Sequence, residues 1–326
     1  MADELIIISV VLATYFLGKI YIFVWSRKNS LVNTPSGFGV LLPLYLLLFL
    51  MLTSQVSLVS FLSILIISFF GFVYWVDDVI QLSPKIRIFI AFSAGATLFL
   101  VASSAASYTP FEIFCSTIMF GIASTVLTNV ANFYDGEDLN LATIIFLAGL
   151  VLIFSSNGSV SELASIGPIM TGFAIGFGLI NRFPLSLYLG DSGAFVLASI
   201  FIFLFINYVL KLNSVPEELM LVVALPIFDT IYVFMIRLYC KHDVLSRNYL
   251  HLYQRIRIRF GGFYYLIPQF LNFCGLLFLA GLIESESVPR VWALIISTFT
   301  LTPIFYLVCR YLLVERTYFF GDGEVN

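Results

Sequence analysis

Two adjacent carboxylates, Asp77 and Asp78, follow directly on an apolar segment of membrane-spanning length. Neighbouring Asp side chains at the edge of a hydrocarbon slab repel each other and are costly to desolvate, unless a cation, a proton or water compensates them. Lys85 and Arg87 follow Pro84, a residue that favours the first turn of a helix. The stretch indicates either a site for a phosphate or a solvated loop whose basic residues set the topology.

A second polar cluster ends the fifth apolar run. Asn129 and Asn132 are spaced to share one face of a helix and lead toward Asp135, with Asp138 shortly after. A helix cap and turn would explain Asp135 followed by Gly136, but not two amides within an apolar segment. The amides therefore favour a functional role.

A third cluster opens the eighth apolar run, where Gly190 and Gly193 flank Asp191, with Tyr188 just before. Glycines let the backbone approach a ligand closely, and the first amides of a helix can bind a phosphate. An ordinary N-cap with an acid on the helix dipole would give the same pattern.

Cationic residues recur every four positions in the loop after the ninth run: Arg247, His251, Arg255 and Arg259. On a helix they would form a stripe that suits an anionic ligand. The arginines alone could equally be signals of membrane topology, although such signals do not explain His251. Asp229, beside Pro226 inside the ninth run, fits a structural hydrogen bond as well as a catalytic role.

These acids occur without paired thiol or histidine ligands, which suits a hard, oxygen-liganded ion such as Mg²⁺ better than zinc. Mg²⁺ with Lys and Arg on one membrane face indicates phosphate chemistry, in which metal and basic side chains neutralise developing charge. The four cysteines are scattered and mostly lie in apolar runs, so we interpret them as small hydrophobic residues.

The composition predicts a polytopic membrane protein. The chain has 326 residues, of which 60% are hydrophobic and 11% charged, and its mean hydropathy is +1.03. No basic tract suggests nucleic acid. We predict an all-α protein of one domain, 1–326, with eleven spans near Leu5–Trp25, Phe38–Leu52, Val56–Trp75, Ile86–Ala106, Phe111–Val130, Leu139–Phe154, Leu163–Ile180, Ala194–Leu210, Leu219–Leu238, Phe263–Ile283 and Val291–Leu313.

Charge asymmetry predicts the orientation. Of the 16 Lys and Arg residues, thirteen lie in the loops after odd-numbered spans, at the span ends beside these loops, or in the C-terminal tail. That side is therefore expected to be cytoplasmic, with the N-terminus outside and the C-terminus inside. All four polar clusters fall on the same side, which predicts one site that opens to the cytoplasm.

In this order, the motifs resemble those of the polyprenyl-phosphate N-acetylhexosamine-1-phosphate transferases, glycosyltransferase family 4. The similar segments are Asp77–Arg87 (a double-Asp motif), Asn129–Asp138 (Asn-x-x-Asn-x-x-Asp-Gly), Tyr188–Gly193 (Gly-Asp-x-Gly) and Thr34–Gly39 (a glycine-rich loop). There are three departures: Leu139 replaces a usual second Gly, the glycine-rich loop lacks a common third Gly, and His251-Leu-Tyr-Gln-Arg255 replaces a cluster of three histidines. The last of these resembles the branch that starts surface-polysaccharide and O-antigen chains.

The resemblance implies transfer of a sugar 1-phosphate from a UDP-sugar to undecaprenyl phosphate with release of UMP, in the bacterial cytoplasmic membrane. It implies Mg²⁺, with Mn²⁺ as a substitute, and leaves a homodimer open. The implied metal residues are Asp191, Asp78 and Asn132, and one Asp of the pair deprotonates the lipid phosphate.

The implied substrate contacts follow the same motifs. Lys85 would hold the lipid phosphate, Tyr188 would stack on uracil, and His251 with Arg255 would hold the donor diphosphate. The remaining implied residues of the nucleotide site are Asn129, Asn132, Asp135 and Asp138.

A secondary transporter for an anionic solute is the alternative. It predicts charges near the membrane midplane, broken helices and paired repeats, of which the sequence offers only Asp229 with Pro226.

Overall fold

The structure is a computed structural model and describes residues 2–28, 34–52, 57–104, 107–155, 165–181, 187–210, 217–242, 249–285 and 287–313. Arg247 of the predicted stripe lies outside these residues. The described α-helices are α1 (Ala2–Lys28), α2 (Leu41–Leu52), α3 (Leu58–Ile80), α4 (Pro84–Ser103), α5 (Pro110–Tyr134), α6 (Asn140–Ser155), α7 (Ile166–Gly178), α8 (Gly190–Leu210), α9 (Leu219–Tyr239), α10 (Leu252–Phe260), α11 (Ile267–Ile283) and α12 (Arg290–Leu313).

The prediction of an all-α polytopic membrane protein is confirmed. Eight of the described helices are long and apolar enough to cross a membrane, and three shorter apolar segments correspond to the other predicted spans: Phe38–Leu52, Asn140–Ser155 and Ile166–Gly178. The remaining helix, α10, has only nine residues and is rich in arginine.

Two helix ends differ from the hydropathy prediction in a way that matters for the site. α3 continues through Ile80, five residues beyond the predicted end, so Asp77 and Asp78 lie on its last turns and not in a loop. α8 begins at Gly190, so Asp191 lies in its first turn. Hydrogen bonds that cap the helices set these ends, and hydropathy does not register them.

The chain divides into two compact units, residues 1–216 and 217–326, where the sequence suggests one domain. In the first unit, α8 is buried along most of its length and packs against α3, α4 and α5. A 3₁₀ turn, Phe38–Val40, also contacts α8. The helices that carry the acidic and amide motifs therefore meet around one buried helix.

Local sequence explains where α4 and α5 begin. Pro84 and Pro110 each stand in the first turn, where a missing N–H leaves no hydrogen bond unmade. Thr109 and Glu112 form a capping box at the start of α5. These starts fix which residues of α4 and α5 face α8.

In the second unit, α9, α11 and α12 pack against one another, and α10 packs against α12. The Gln269 amide donates to the main-chain oxygen of Val222 at 2.6 Å and joins α11 to α9. Polar side chains therefore tie the helices of this unit together inside an otherwise apolar core.

Candidate functional site

The first turn of α8 is capped by a carboxylate from another helix. The main-chain N–H of Asp191 donates to Asp78 Oδ1 at 2.8 Å, and that of Ser192 donates to Asp78 Oδ2 at 3.2 Å. A carboxylate there also interacts favourably with the positive end of the helix dipole. Asp78 thus joins the end of α3 to the start of α8.

Asp77, its neighbour, has a different set of contacts. Its main-chain oxygen accepts from Gln81 N at 2.8 Å, and its Oδ1 accepts from the Leu82 N–H, so it closes the end of α3. Its Oδ2 is buried and accepts no hydrogen bond from the described residues; it lies 3.5 Å from Arg87 Nε. The adjacent carboxylates therefore point to different partners.

Arg87 places its guanidinium among the acids. Its Nη1 donates to Asp191 Oδ2 at 2.7 Å, and its Nε faces Asp77. Lys85, to which the resemblance assigns the lipid phosphate, is exposed on the first turn of α4. Residues two apart on a helix point in different directions, so the spacing could have shown that only one of these cations faces the acids.

Asp135 follows the last residue of α5 and lies beside α8. Its carboxyl group interacts with the Gly190 N–H and with the carboxyls of Asp191 and Asp78. Burial raises the pKa of Asp135 well above its usual value, and the charges of Asp191 and Asp78 raise it further. Three acids from α3, the end of α5 and α8 thus meet at one helix start.

The other predicted nucleotide-site residues lie around this cluster at different depths. Asn129 is exposed and donates to Thr125 O of its own helix at 2.8 Å. Asn132 and Asp138 are half-buried. Tyr188 is also half-buried; burial raises its pKa, as does the charge of Asp138. The structure therefore places Tyr188 close to the loop that follows α5.

Asn181 organises this loop, although it is not among the predicted site residues. Its Oδ1 accepts from Leu139 N and its Nδ2 donates to Leu187 O, both at 2.6 Å. Leu139 has a φ of 64°, a conformation that favours glycine, which gives a physical reason for the glycine that the related motif has there. A single Asn at the end of an apolar run is a weak signal in a sequence, because a helix cap would explain it equally well.

The segment around the glycine-rich motif pairs with the residues that precede α8. Tyr188 N donates to Pro35 O at 2.9 Å, and Gly39 N donates to Leu189 O at 3.0 Å. A Cβ on Gly39 would lie 2.1 Å from Gly193 Cα and 2.6 Å from Gly193 N. Glycine is therefore required at position 39 because two main chains touch there.

We expect Gly39→Ala to weaken both stability and activity. Overpacking of this kind costs about 1–3 kcal/mol, and the added methyl group would push the start of α8 away from its partners. Thermal unfolding and turnover in detergent would measure the two effects. Gly281→Ala is the matched control, since a Cβ at Gly281 meets no atom within 4 Å; equal unfolding temperatures for the two variants would contradict the close-contact explanation.

The second unit contains a buried network centred on Asp229, which is 0% exposed. Asp229 Oδ2 lies 2.9 Å from His251 Nδ1, and Oδ1 accepts from Leu252 N at 3.0 Å and from the Tyr306 hydroxyl at 2.7 Å. Arg310 Nη1 donates to the Tyr306 hydroxyl at 2.9 Å. These contacts favour a structural role for Asp229 over a catalytic one.

The three described residues of the predicted stripe, His251, Arg255 and Arg259, lie in different environments. α10 begins at Leu252, so His251 is its N-cap residue. Arg255 is buried and Arg259 is exposed. The physical reason is the bond from Asp229 to the start of α10, which draws His251 into the core of the unit.

The acids offer the hard oxygen donors that Mg²⁺ prefers, and the buried Asp77 Oδ2 without a hydrogen bond is a fitting ligand atom. Asp77 and Asp191 share Arg87, whereas both oxygens of Asp78 accept from α8 amides. Among the described residues, no three or more His, Cys, Asp or Glu side chains form a group that could hold a metal ion. The oxygen donors of these acids therefore fit Mg²⁺. In this structure the cation that pairs with Asp77 and Asp191 is Arg87.

Comparison with known proteins extends the motif resemblance. Residues 57–209 match the model of glycosyl transferase family 4. The chain is 25% identical over 195 residues to a probable undecaprenyl-phosphate N-acetylglucosaminyl 1-phosphate transferase of Bacillus subtilis (strain 168), covering 55% of this chain and 53% of that protein. It is 23% identical over 155 residues to a phospho-N-acetylmuramoyl-pentapeptide-transferase of Prochlorococcus marinus (strain NATL2A), covering 41% and 42%.

The matches thus cover about half the length of each of these relatives. The family region begins at the N-cap of α3 and ends one residue before the end of α8. It contains Asp77, Asp78, Arg87, Asp135 and Asp191, the charged groups that meet at the start of α8. In this region, which holds the charged groups of the site, the chain is similar to glycosyl transferase family 4.

Proposed function

We propose that this protein transfers a sugar 1-phosphate, of the N-acetylhexosamine class, from a UDP-sugar to undecaprenyl phosphate and releases UMP. The observation that carries the proposal is the meeting of Asp77, Asp78, Asp135 and Asp191 with Arg87 at the start of a buried helix. Such a site combines acids, a cation and main-chain amides, which together suit the binding and transfer of phosphoryl groups.

The reaction joins an oxygen of the lipid phosphate to the β-phosphorus of the donor and breaks the bond from that phosphorus to the oxygen that leaves with UMP. Mg²⁺, when bound through Asp191 with the Asp pair, would neutralise charge on the diphosphate. Arg87 is the side chain best placed to bind a phosphate oxygen beside these acids, because a guanidinium forms strong, charge-assisted bonds to phosphate.

A general base would take any proton on the lipid phosphate. Within the double-Asp motif, both oxygens of Asp78 already accept main-chain N–H groups. Asp77 Oδ2 accepts no main-chain N–H from the described residues and lies 3.5 Å from Arg87 Nε, so it can accept a proton without giving up a helix cap. This difference favours Asp77 over Asp78 as the base, while Asp78 holds the start of α8 in position.

The donor's nucleotide would lie against the loop that follows α5. Tyr188 offers an aromatic face for uracil, and the half-buried Asn132 and Asp138 offer polar groups near it. His251 and Arg255 remain the predicted contacts for the donor diphosphate. Both are buried, and His251 pairs with Asp229, so such a contact would require their side chains to be uncovered for the substrate.

The membrane setting is part of the same proposal. Charge asymmetry supports an orientation in which the site opens to the cytoplasm of a bacterium, where a soluble nucleotide donor and a lipid acceptor can meet. Formation of the first lipid-linked sugar of a surface polysaccharide, such as an O-antigen, is the pathway that the last-loop motif favours. The chemistry at the site is the same for any UDP-N-acetylhexosamine.

The test is release of UMP by the purified full-length protein with undecaprenyl phosphate and a panel of UDP-sugars. We expect release with at least one UDP-N-acetylhexosamine, dependence on the lipid phosphate, and inhibition by a chelator. UMP release that continues without the lipid would indicate hydrolysis. Uptake of an anionic solute into vesicles, with no UMP from any donor, would instead favour the transporter.

A further inference from the structure

The Arg87 guanidinium lies where a cation would balance the acids. It is 2.7 Å from Asp191 Oδ2 and 3.5 Å from Asp77 Oδ2. Its main chain is fixed, since Arg87 N donates to Ser83 O at 3.1 Å and the Tyr74 hydroxyl donates to Arg87 O at 2.8 Å. The side chain can therefore change partners while its main chain stays anchored to α3.

Charge balance limits which cations this cluster can hold at once. Asp77 is buried, so a positive charge nearby is needed when its carboxylate is ionised. A divalent ion bound to Asp191 would lie within a few ångströms of the guanidinium, and like charges at that separation repel strongly outside bulk water. Close binding of both cations to Asp191 is therefore unfavourable.

The exposure of Arg87 gives it an alternative position. A third of its side chain is accessible to solvent, compared with 2% for the Asp77 side chain. A guanidinium released from Asp191 would remain next to the site, with donors suited to an incoming phosphate.

We propose that Arg87 is an internal counter-ion that competes with a divalent cation for Asp191 and turns toward a substrate phosphate when that cation binds. The proposal rests on the metal dependence within the proposed function. It does not rest on the identity of the donor or the acceptor, because the competition exists before either substrate binds.

The first test is a Mn²⁺ titration of the purified full-length protein without substrates, with free Mn²⁺ measured by electron paramagnetic resonance. Arg87→Gln should bind Mn²⁺ about tenfold more tightly than the unmodified protein, because it lacks the competing charge. Lys85→Gln removes the same charge two residues away and should leave the affinity unchanged. Equal or weaker binding by Arg87→Gln, or no Mn²⁺ binding by any of these proteins, would overturn the proposal.

A second measurement avoids any loss of folding in the variant. Phenylglyoxal modifies accessible arginines. Mass spectrometry of the protein without any substitution would report the rate of this reaction at Arg87. We expect Mn²⁺ to raise this rate severalfold in the native protein and to leave it unchanged in Asp191→Asn. A native rate that Mn²⁺ leaves unchanged or lowers would refute the exchange, whatever the outcome of the UMP assay.

Discussion

Asp191→Asn should lower the rate of sugar-phosphate transfer by about 10²–10³-fold, the effect of losing one strong electrostatic contact to the transition state. The amide keeps the shape of the side chain but loses the charge that pairs with Arg87 and that would hold a divalent ion. Its main-chain N–H still donates to Asp78, so the start of α8 should persist. Turnover by the purified variant, at saturating donor and lipid, would measure the loss.

The matched control for this variant is Asp3→Asn, which removes a charge from an exposed residue in the first turn of α1. We expect its turnover to equal that of the native protein. Unfolding temperatures of both variants would separate lost chemistry from lost structure. A folded Asp191→Asn protein with native turnover would exclude Asp191 from the reaction.

The largest effect on stability is expected for Asp229→Ala. The change leaves the buried Leu252 N–H, the Tyr306 hydroxyl and His251 without their shared acceptor, and loss of one partner from a buried charged network costs about 3–5 kcal/mol. The unfolding temperature in detergent should fall sharply, and the start of α10 should become accessible to protease.

Tyr306→Phe provides a graded comparison within the same network. It removes one hydroxyl that donates to Asp229 and accepts from Arg310, so it should destabilise by about 1–3 kcal/mol, less than Asp229→Ala. An unfolding temperature that does not change in Asp229→Ala would contradict a structural role for this acid and would reopen the catalytic one.

The sequence predicts the helices of this protein well, because hydropathy over about 20 residues reports directly on burial in lipid. It does not predict the residues at which α3 ends and α8 begins, and these two helix ends form the site. Asp77 extends α3 by accepting hydrogen bonds from Gln81 and Leu82, and Asp78 caps α8 from 113 residues away in the sequence. Polar residues that end a hydropathy window are here part of the helices themselves.

The sequence predicts the acidic residues of the site better than it predicts the basic ones. Asp78, Asp135 and Asp191 belong to recognisable motifs, and the structure brings them together. The choice between Lys85 and Arg87 depends on the direction of each side chain on α4, which composition does not record. The bond from Asp229 to His251 joins residues 22 apart and depends on the tertiary packing of the second unit. The regular four-residue spacing therefore did not predict that His251 and Arg255 are buried while Arg259 is exposed.

The most direct test of the account follows the β-phosphate of the donor. A UDP-N-acetylhexosamine labelled with ³²P at the β-phosphate, chosen as the panel member that supports turnover, would be incubated with the protein and undecaprenyl phosphate. Transfer of a sugar 1-phosphate predicts that the label enters the lipid fraction in the same amount as UMP is released. Label that stays in the aqueous fraction as UDP, with unlabelled sugar on the lipid, would contradict the account.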